Sequence, residues 1–501
     1  MKRLLVFSIV LFLTGAACIT SCVHKTKEFP APFDDGGYPA DVAKILNNKC
    51  TYSGCHNSAS YQNAAGLQLD TWAHLFKGSV SGAEVVAYST KYSPLLYYTN
   101  TDPSLGVVAT NPGHLDTPLT RDEYMVLYNW VARGAPDKNG NIPFAAPTPD
   151  TRQKIYLTLQ GCRLIAVIDG PSRQVMRYIP IGNATNLSPH DVEISADGNY
   201  AYVPFYNGSF VQKIDVRTDT VVGSVDVGSV ALGGTGLWSI LSLSPLDTAF
   251  MVSGTIGNGC LVQVNTNTMQ INPRRSIDQV TGGTSAFPYP HGLAYNATYD
   301  TFYATLLTNI VKYAFDNAGV LTYSKYITAT GNPHQIQMTP DRSKYFVTCP
   351  DPTASGANTV RVYDAKTDTL VKSITVGAKP QEMDISPSRG LLFVACMEDA
   401  FNPLLNRRGS VYVIDYNTLE TVKIIYGDFF QPHDVTVDEP DGLIYIPSRN
   451  ADPTGPAPHH ATSCSGRPGW YSVYDLNTLL PVDNKRYDVP VDPYAIATRF
   501  K

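Results

Sequence analysis

Seven times after residue 150 the chain opens a segment at nearly regular spacing, at His190, Trp238, His291, His334, Gln381, His433 and Tyr494, with 43 to 61 residues between successive starts. Between the starts, short β-branched and aromatic runs alternate with Gly, Asp, Asn and Pro, which is the patterning of strands and turns. Each unit has four parts: an apolar strand, a second strand ending in Ile-Asp or Tyr-Asp, a valine-rich third, and a segment beginning Pro-His or similar. The second strands at 164–169, 211–215, 360–364, 411–415 and 471–475 show this most clearly. Their terminal aspartates open turns such as Asp215-Val216-Arg217-Thr218-Asp219, where Asp and Thr side chains cap the backbone. Seven four-part units of this length predict a seven-bladed β-propeller, so the fold class is mainly β. The first unit starts at Lys154 without a fourth segment of its own, and Pro493 through Phe500 stands alone at the other end. The two ends are therefore expected to pair, one C-terminal strand completing a blade of three N-terminal ones.

The N-terminus reads as an export signal. Lys2 and Arg3 precede an apolar run from Leu4 to Leu13, too short to cross a bilayer as a permanent helix. Ile19-Thr20-Ser21 before Cys22 resembles the lipobox of bacterial lipoproteins, which implies a signal peptide over 1–21 and a lipid on Cys22. Residues 22–37, with Pro30, Pro32 and Gly36-Gly37, read as a flexible tether. Loss of residues 1–21 removes Lys2 and Arg3 and no acidic residue, moving the formal charge from −5 to −7. No basic patch of the kind that binds nucleic acid is present, so the partners expected are a membrane, through the anchor, and a redox partner protein or small-molecule substrate.

Before the repeats lies one motif with chemistry in it, Cys50-Thr51-Tyr52-Ser53-Gly54-Cys55-His56. Two thiols followed by an imidazole suit a c-type haem, each sulfur bonding one vinyl group and the histidine becoming the proximal iron ligand. Four residues separate the cysteines where two are usual. A short disulfide loop is the simpler alternative, and a zinc knuckle would need two more ligands, none of which follows before His74. The flanks have helical spacing: Val42, Ile45 and Leu46 lead into Cys50, and Thr120 caps a second helix with Tyr124, Leu127, Trp130 and Val131 on one face.

Residues 38–142 resemble the compact cytochrome c domains fused to other modules in exported bacterial proteins. The resemblance rests on residues 45–50, Cys55-His56-Asn57, residues 65–69, Pro118-Leu119-Thr120 and residues 130–135. It implies one haem c on Cys50 and Cys55, with His56 proximal. The second axial ligand in that family lies just before the Pro-Leu-Thr segment, where this chain has His114 and no methionine, and His114 is the candidate distal ligand. Met125 and His74 are the alternatives, the first read as core and the second as an exposed histidine. Bis-histidine ligation implies a low-potential, six-coordinate haem that moves electrons without bond chemistry.

A Pro-rich linker, 143–151, leads into the propeller at 152–501. Its repeats resemble the YVTN-type propeller family through Pro189-His190-Asp191, Lys379-Pro380-Gln381-Glu382 and Pro432-His433-Asp434. His190, His291, His334 and His433 then begin innermost strands around one channel mouth, where they form a candidate site for a transition metal or second cofactor. The alternative is that they serve turns and backbone, since Trp238, Gln381 and Tyr494 interrupt the ring. An insertion over residues 450–469 carries His459, His460 and Cys464, and Cys464 is paired in this reading with Cys162 of the neighbouring blade. Cys349 and Cys396 read as buried thiols. The leading expectation is a lipid-anchored haem electron-transfer protein of the bacterial cell envelope, periplasmic or on the outer-membrane surface, with a propeller docking or substrate platform. Two other classes stay open: a periplasmic propeller oxidoreductase passing electrons to the haem, and a non-redox surface binding lipoprotein.

Overall fold

A computed structural model describes residues 34–108, 117–147, 150–184, 187–229, 238–244, 248–254, 259–277, 290–306, 308–329, 331–350, 358–404, 407–449, 464 and 469–501. The valine-rich runs of the repeats become antiparallel strands gathered into seven separate sheets. Blade 1 is built as the ends of the chain predict: Pro493–Thr498 pairs with Lys154–Leu159, which is followed in the sheet by Leu164–Asp169 and Val175–Pro180. Blades 2 to 7 follow in chain order. Their first strands touch in sequence around a ring, and Thr436–Asp438 of blade 7 meets Pro493–Thr498 of blade 1 to close it.

Burial explains the composition of each strand. Lys154–Leu159 and Leu164–Asp169 are buried throughout, because both faces are covered by neighbouring blades, and such strands read as continuous apolar runs. Outer strands such as Glu420–Ile425 face water along most of their length and carry charge. The core is therefore a set of wedges between blades. Tyr156, Ile165 and Val167 of blade 1 pack on Ala201, Val203 and Ile214 of blade 2. Each fully buried Val or Ile in such a wedge contributes about 1.5–3 kcal/mol.

The terminal aspartates do what their turn chemistry demands. Asp215, Asp364, Asp415 and Asp475 each accept backbone N–H groups two or three residues on. Other carboxylates join blades. Asp191 accepts the backbone N–H of Leu241 in blade 3 at 2.8 Å, Asp434 that of Ile496 in blade 1 at 2.8 Å, and Asp384 that of Val437 in blade 7 at 2.9 Å.

Before the propeller, four short α-helices among the described residues, α1 (Ala40–Lys49), α2 (Trp72–Leu75), α3 (Pro94–Thr99) and α4 (Arg121–Ala132), surround their own apolar cluster. Thr120 and Glu123 form a reciprocal capping box at the start of α4, whose Tyr124, Leu127, Trp130 and Val131 are buried as the spacing predicts. Residues 37–501 make one compact unit. The helical segment docks on blades 7 and 1: Arg486 and Asp488 donate backbone N–H groups to the carbonyls of Val80 and Ser81, and Tyr92 packs edge-on to Tyr178. Gly78 is required there, since a Cβ on it would lie 2.3 Å from the Gly82 carbonyl oxygen. Cys162 and Cys464 form the expected disulfide, and Cys260, Cys349 and Cys396 are buried. No described helix is long and apolar enough to cross a membrane.

Candidate functional site

Two constellations of chemistry-bearing side chains emerge, one in the helical segment and one at the propeller channel. The first begins where α1 ends. Cys50 and Thr51 both donate backbone N–H groups to the Leu46 carbonyl, and the chain then turns until His56 N–H donates to the Cys50 carbonyl at 3.0 Å. The two additional residues between the cysteines are absorbed by this closed turn, which passes through Gly54 at φ +89°. Asn57 clamps it, its amide donating to the carbonyls of Thr51 and Tyr52 at 3.2 and 2.8 Å, while Ser60 Oγ donates to the Cys55 carbonyl at 2.6 Å.

Cys50 and Cys55 remain free thiols, so the disulfide loop weighed from the sequence does not form in this structure. Burial against the helical core pushes the Cys50 thiol up to about 12, with the nearby Cys55 adding to the rise. The His56 ring is oriented by its Nδ1, which lies 3.0 Å from the Leu67 carbonyl. A carbonyl only accepts, so Nδ1 carries the proton and Nε2 is the nitrogen with a lone pair to offer a metal. The loop carbonyl of His56 also accepts from Leu69 N–H at 2.8 Å, which pins the backbone on the same strand of chain. Thr117 Oγ1 donates to the Lys49 carbonyl and Lys49 Nζ to the Pro118 carbonyl, bringing the Pro-Leu-Thr segment alongside.

His114 and Cys22 lie outside the described residues, as do His459 and His460. Of the two alternative distal ligands, His74 bonds Asp70 through Nδ1 at 2.7 Å, and Met125 packs partly buried against the helical core.

The second constellation gathers the four propeller histidines. His190, His291, His334 and His433 start their segments at the channel, and their rings approach one another: 3.7 Å between the centroids of His291 and His334, 5.5 Å between His190 and His291, and 6.4 Å between His190 and His433. Tyr494, the blade 1 counterpart, stacks on His433 at 3.6 Å and on its other side sits 5.0 Å from His190. Behind Tyr494, Arg449 and Asp492 form a fully buried ion pair.

Carboxylates come directly after three of the channel residues, Asp191 after His190, Glu382 after Gln381 and Asp434 after His433. Burial raises Asp191 to about 6, and it raises Glu382 and Asp434 well above the carboxylate range, with the charges of Asp434 and Asp191 adding to the rise at Glu382 and those of Asp191 and Asp384 to the rise at Asp434. Glu382 escaped the sequence reading, although it carries a signal. It occupies the place that Asp191 and Asp434 hold after their histidines, and it is one methylene longer. The Leu67 carbonyl, too, is invisible as a side chain, yet it falls in the 65–69 stretch that marks the haem-domain resemblance.

No family model and no curated protein matches the chain. Solved structures do align with it, including a hydrazine synthase of Kuenenia stuttgartiensis (14% identity, 63% of this chain and 88% of that one, TM-score 0.46). A functionally unknown protein from Desulfotomaculum acetoxidans aligns at 12% identity over 68% of this chain and 99% of its own, with a TM-score of 0.49. The dihydro-haem d1 dehydrogenase NirN aligns at 14% identity over 91% and 98%, with a TM-score of 0.45. Similarity of this degree carries no chemistry across, and the seven-bladed assignment rests on the strand pairing of the chain itself.

Proposed function

We propose that residues 38–142 hold one covalently attached haem c and that the protein transfers electrons, with the propeller as its docking or substrate platform. The observation that carries this reading is the pair of unbonded thiols, Cys50 and Cys55, closed by one turn onto His56, whose Nδ1 is fixed by the Leu67 carbonyl. That is the donor set a c-type haem requires: two sulfurs for the vinyl groups and an oriented imidazole for iron. Bound there, the haem supplies one-electron chemistry between ferrous and ferric iron. Cys50 and Cys55 hold it, His56 ligates it through Nε2, and the Leu67 carbonyl raises the basicity of that imidazole by accepting its other proton. His114 is proposed as the distal ligand, giving a low-potential site closed to added ligands.

Export follows from the same proposal, because haem attachment to cysteines belongs to the compartment in which Cys162 and Cys464 become a disulfide. Lipid on Cys22 would hold the protein to a membrane of the cell envelope. A second reading, a propeller oxidoreductase that feeds electrons to the haem, is supported by the His291, His334 and Glu382 cluster in the channel. A pyridine haemochrome spectrum of protein made in a host able to mature cytochromes tests the proposal. A c-type spectrum with one haem per chain is expected, and colourless, correctly folded protein would overturn it.

A further inference from the structure

We infer that the channel mouth of the propeller is a binding site for a divalent first-row transition metal ion, with His291, His334 and Glu382 as its protein ligands. One ligand atom from each lies within 4.8 Å of the other two, and among the described residues this is the one group of three His, Cys, Asp or Glu side chains so placed. Metal bonds of about 2.0–2.2 Å put neighbouring ligands roughly 3–3.5 Å apart, so a small adjustment of side-chain torsions completes the site.

The local sequence is bent toward this arrangement at two points. In blade 2 and blade 7 the residue after the channel histidine is an aspartate that latches the next blade. In blade 6 the latch is Asp384, two residues further on, which accepts Val437 N–H and Thr436 Oγ1. Glu382, in the place of the latching aspartates, is thereby released from that duty. Its Oε1 is buried without a hydrogen-bond partner among the described residues. In blade 4 the corresponding residue is Gly292, and a Cβ there would lie 2.4 Å from the His334 carbonyl oxygen and 2.5 Å from Gln335 Oε1. Only glycine lets blade 5 come this close. Gly292 N–H donates to the His334 carbonyl at 2.8 Å, and the two imidazoles meet at 3.7 Å as a result.

Electrostatics favours a cation at this point. Glu382 is a buried carboxylate, and Asp434 is a second buried acidic side chain in the equivalent place of the next blade. A bound divalent ion would set positive charge directly beside the Glu382 carboxylate, whereas Lys501 pairs with Asp384. Two neutral imidazoles and a carboxylate suit Fe(II), Mn(II), Co(II) or Zn(II), with coordination positions left for water or substrate. His291 and His334 are only partly buried, which gives an ion a route in from the channel mouth. His190 lies next to His291, at 5.5 Å between ring centroids.

Equilibrium dialysis of the full chain against Zn²⁺, followed by elemental analysis, tests the inference. Zinc is a sufficient probe because such a donor set binds it more tightly than iron or manganese. One zinc per chain is expected in the wild type and in a His459→Ala/His460→Ala variant. At least tenfold weaker binding is expected in His334→Asn and in Glu382→Gln, the second keeping the size of the side chain. Circular dichroism checks that both are folded. No stoichiometric zinc in the wild type, or zinc retained by folded His334→Asn and Glu382→Gln, would overturn it. Haem content read from the same samples is independent, since the haem and channel ligands share no residue.

Discussion

Asp492→Asn removes one negative charge and almost nothing else, at the point where the ring closes. Asp492 directly precedes the strand Pro493–Thr498 that completes blade 1, and Arg449 directly follows Leu443–Ser448 of blade 7. Both side chains are 0% exposed. Arg449 Nε and Nη2 donate to the two carboxylate oxygens at 2.5 and 2.8 Å, and the guanidinium lies over the Tyr494 ring that stacks on His433. Asp492 has φ +65°, a conformation asparagine also tolerates, so the backbone is left unstrained. What remains is a buried guanidinium facing a neutral amide in place of the Asp492 carboxylate, a change worth about 3–5 kcal/mol when one partner of such a pair is lost. The loss of stability should be about 3 kcal/mol, because the asparagine oxygen still accepts one hydrogen bond. Arg449→Met alone should cost a similar amount. The Arg449→Met/Asp492→Asn double variant, with neither charge, should recover most of that loss. Urea unfolding of all four proteins, followed by far-ultraviolet circular dichroism, gives the coupling energy directly. Losses below about 1 kcal/mol for Asp492→Asn, or a double variant that simply sums the two singles, would refute the reasoning from burial.

Other consequences are as concrete. Burial raises Asp438 to about 6 against an ordinary 3.8, so the folded state holds its proton more tightly than the unfolded one. Its contribution is favourable below pH 4 and is lost as pH rises through 6; Asp438→Asn, which keeps the bond from Gln153, should flatten that part of the stability curve and stabilise the protein at pH 7. An unchanged pH profile in urea titrations would contradict this. Cys464→Ser opens a cross-link between residues 302 apart in sequence and should cost on the order of 5 kcal/mol by chain entropy, read as a lowered urea midpoint. Gly78→Ala forces a Cβ against the Gly82 carbonyl and should loosen the helical segment from blades 7 and 1, seen as faster proteolysis within residues 143–151.

The propeller was legible because its rules are local and repeated. A terminal aspartate opens each turn, a buried strand is apolar on both faces, and the Pro493–Thr498 strand has no partner in chain order except Lys154–Leu159. The capping box at Thr120 and the Cys162–Cys464 disulfide were also readable, the first from a short motif and the second from the position of an insertion beside a neighbouring blade. What stayed hidden depends on contacts between blades. The roles of Glu382 and Gly292 follow from which blade takes over latching and where two backbones approach, and neither is a property of one segment. The packing of Val80 and Ser81 on the edge strand of blade 7 likewise uses backbone groups that any residue would supply. The turn that accommodates four residues between Cys50 and Cys55 is held by Asn57 and Ser60, polar side chains whose partners are carbonyls and thus leave no pattern in sequence.

Intact-mass measurement under denaturing conditions, on protein matured in an export pathway that attaches haem, addresses the thiols most directly. The wild type should carry the mass of one haem that acid and organic solvent do not remove, and Cys50→Ser/Cys55→Ser should carry none. Wild-type chains at the bare polypeptide mass, or haem that dissociates on denaturation, would contradict the assignment of Cys50, Cys55 and His56 as a haem c site.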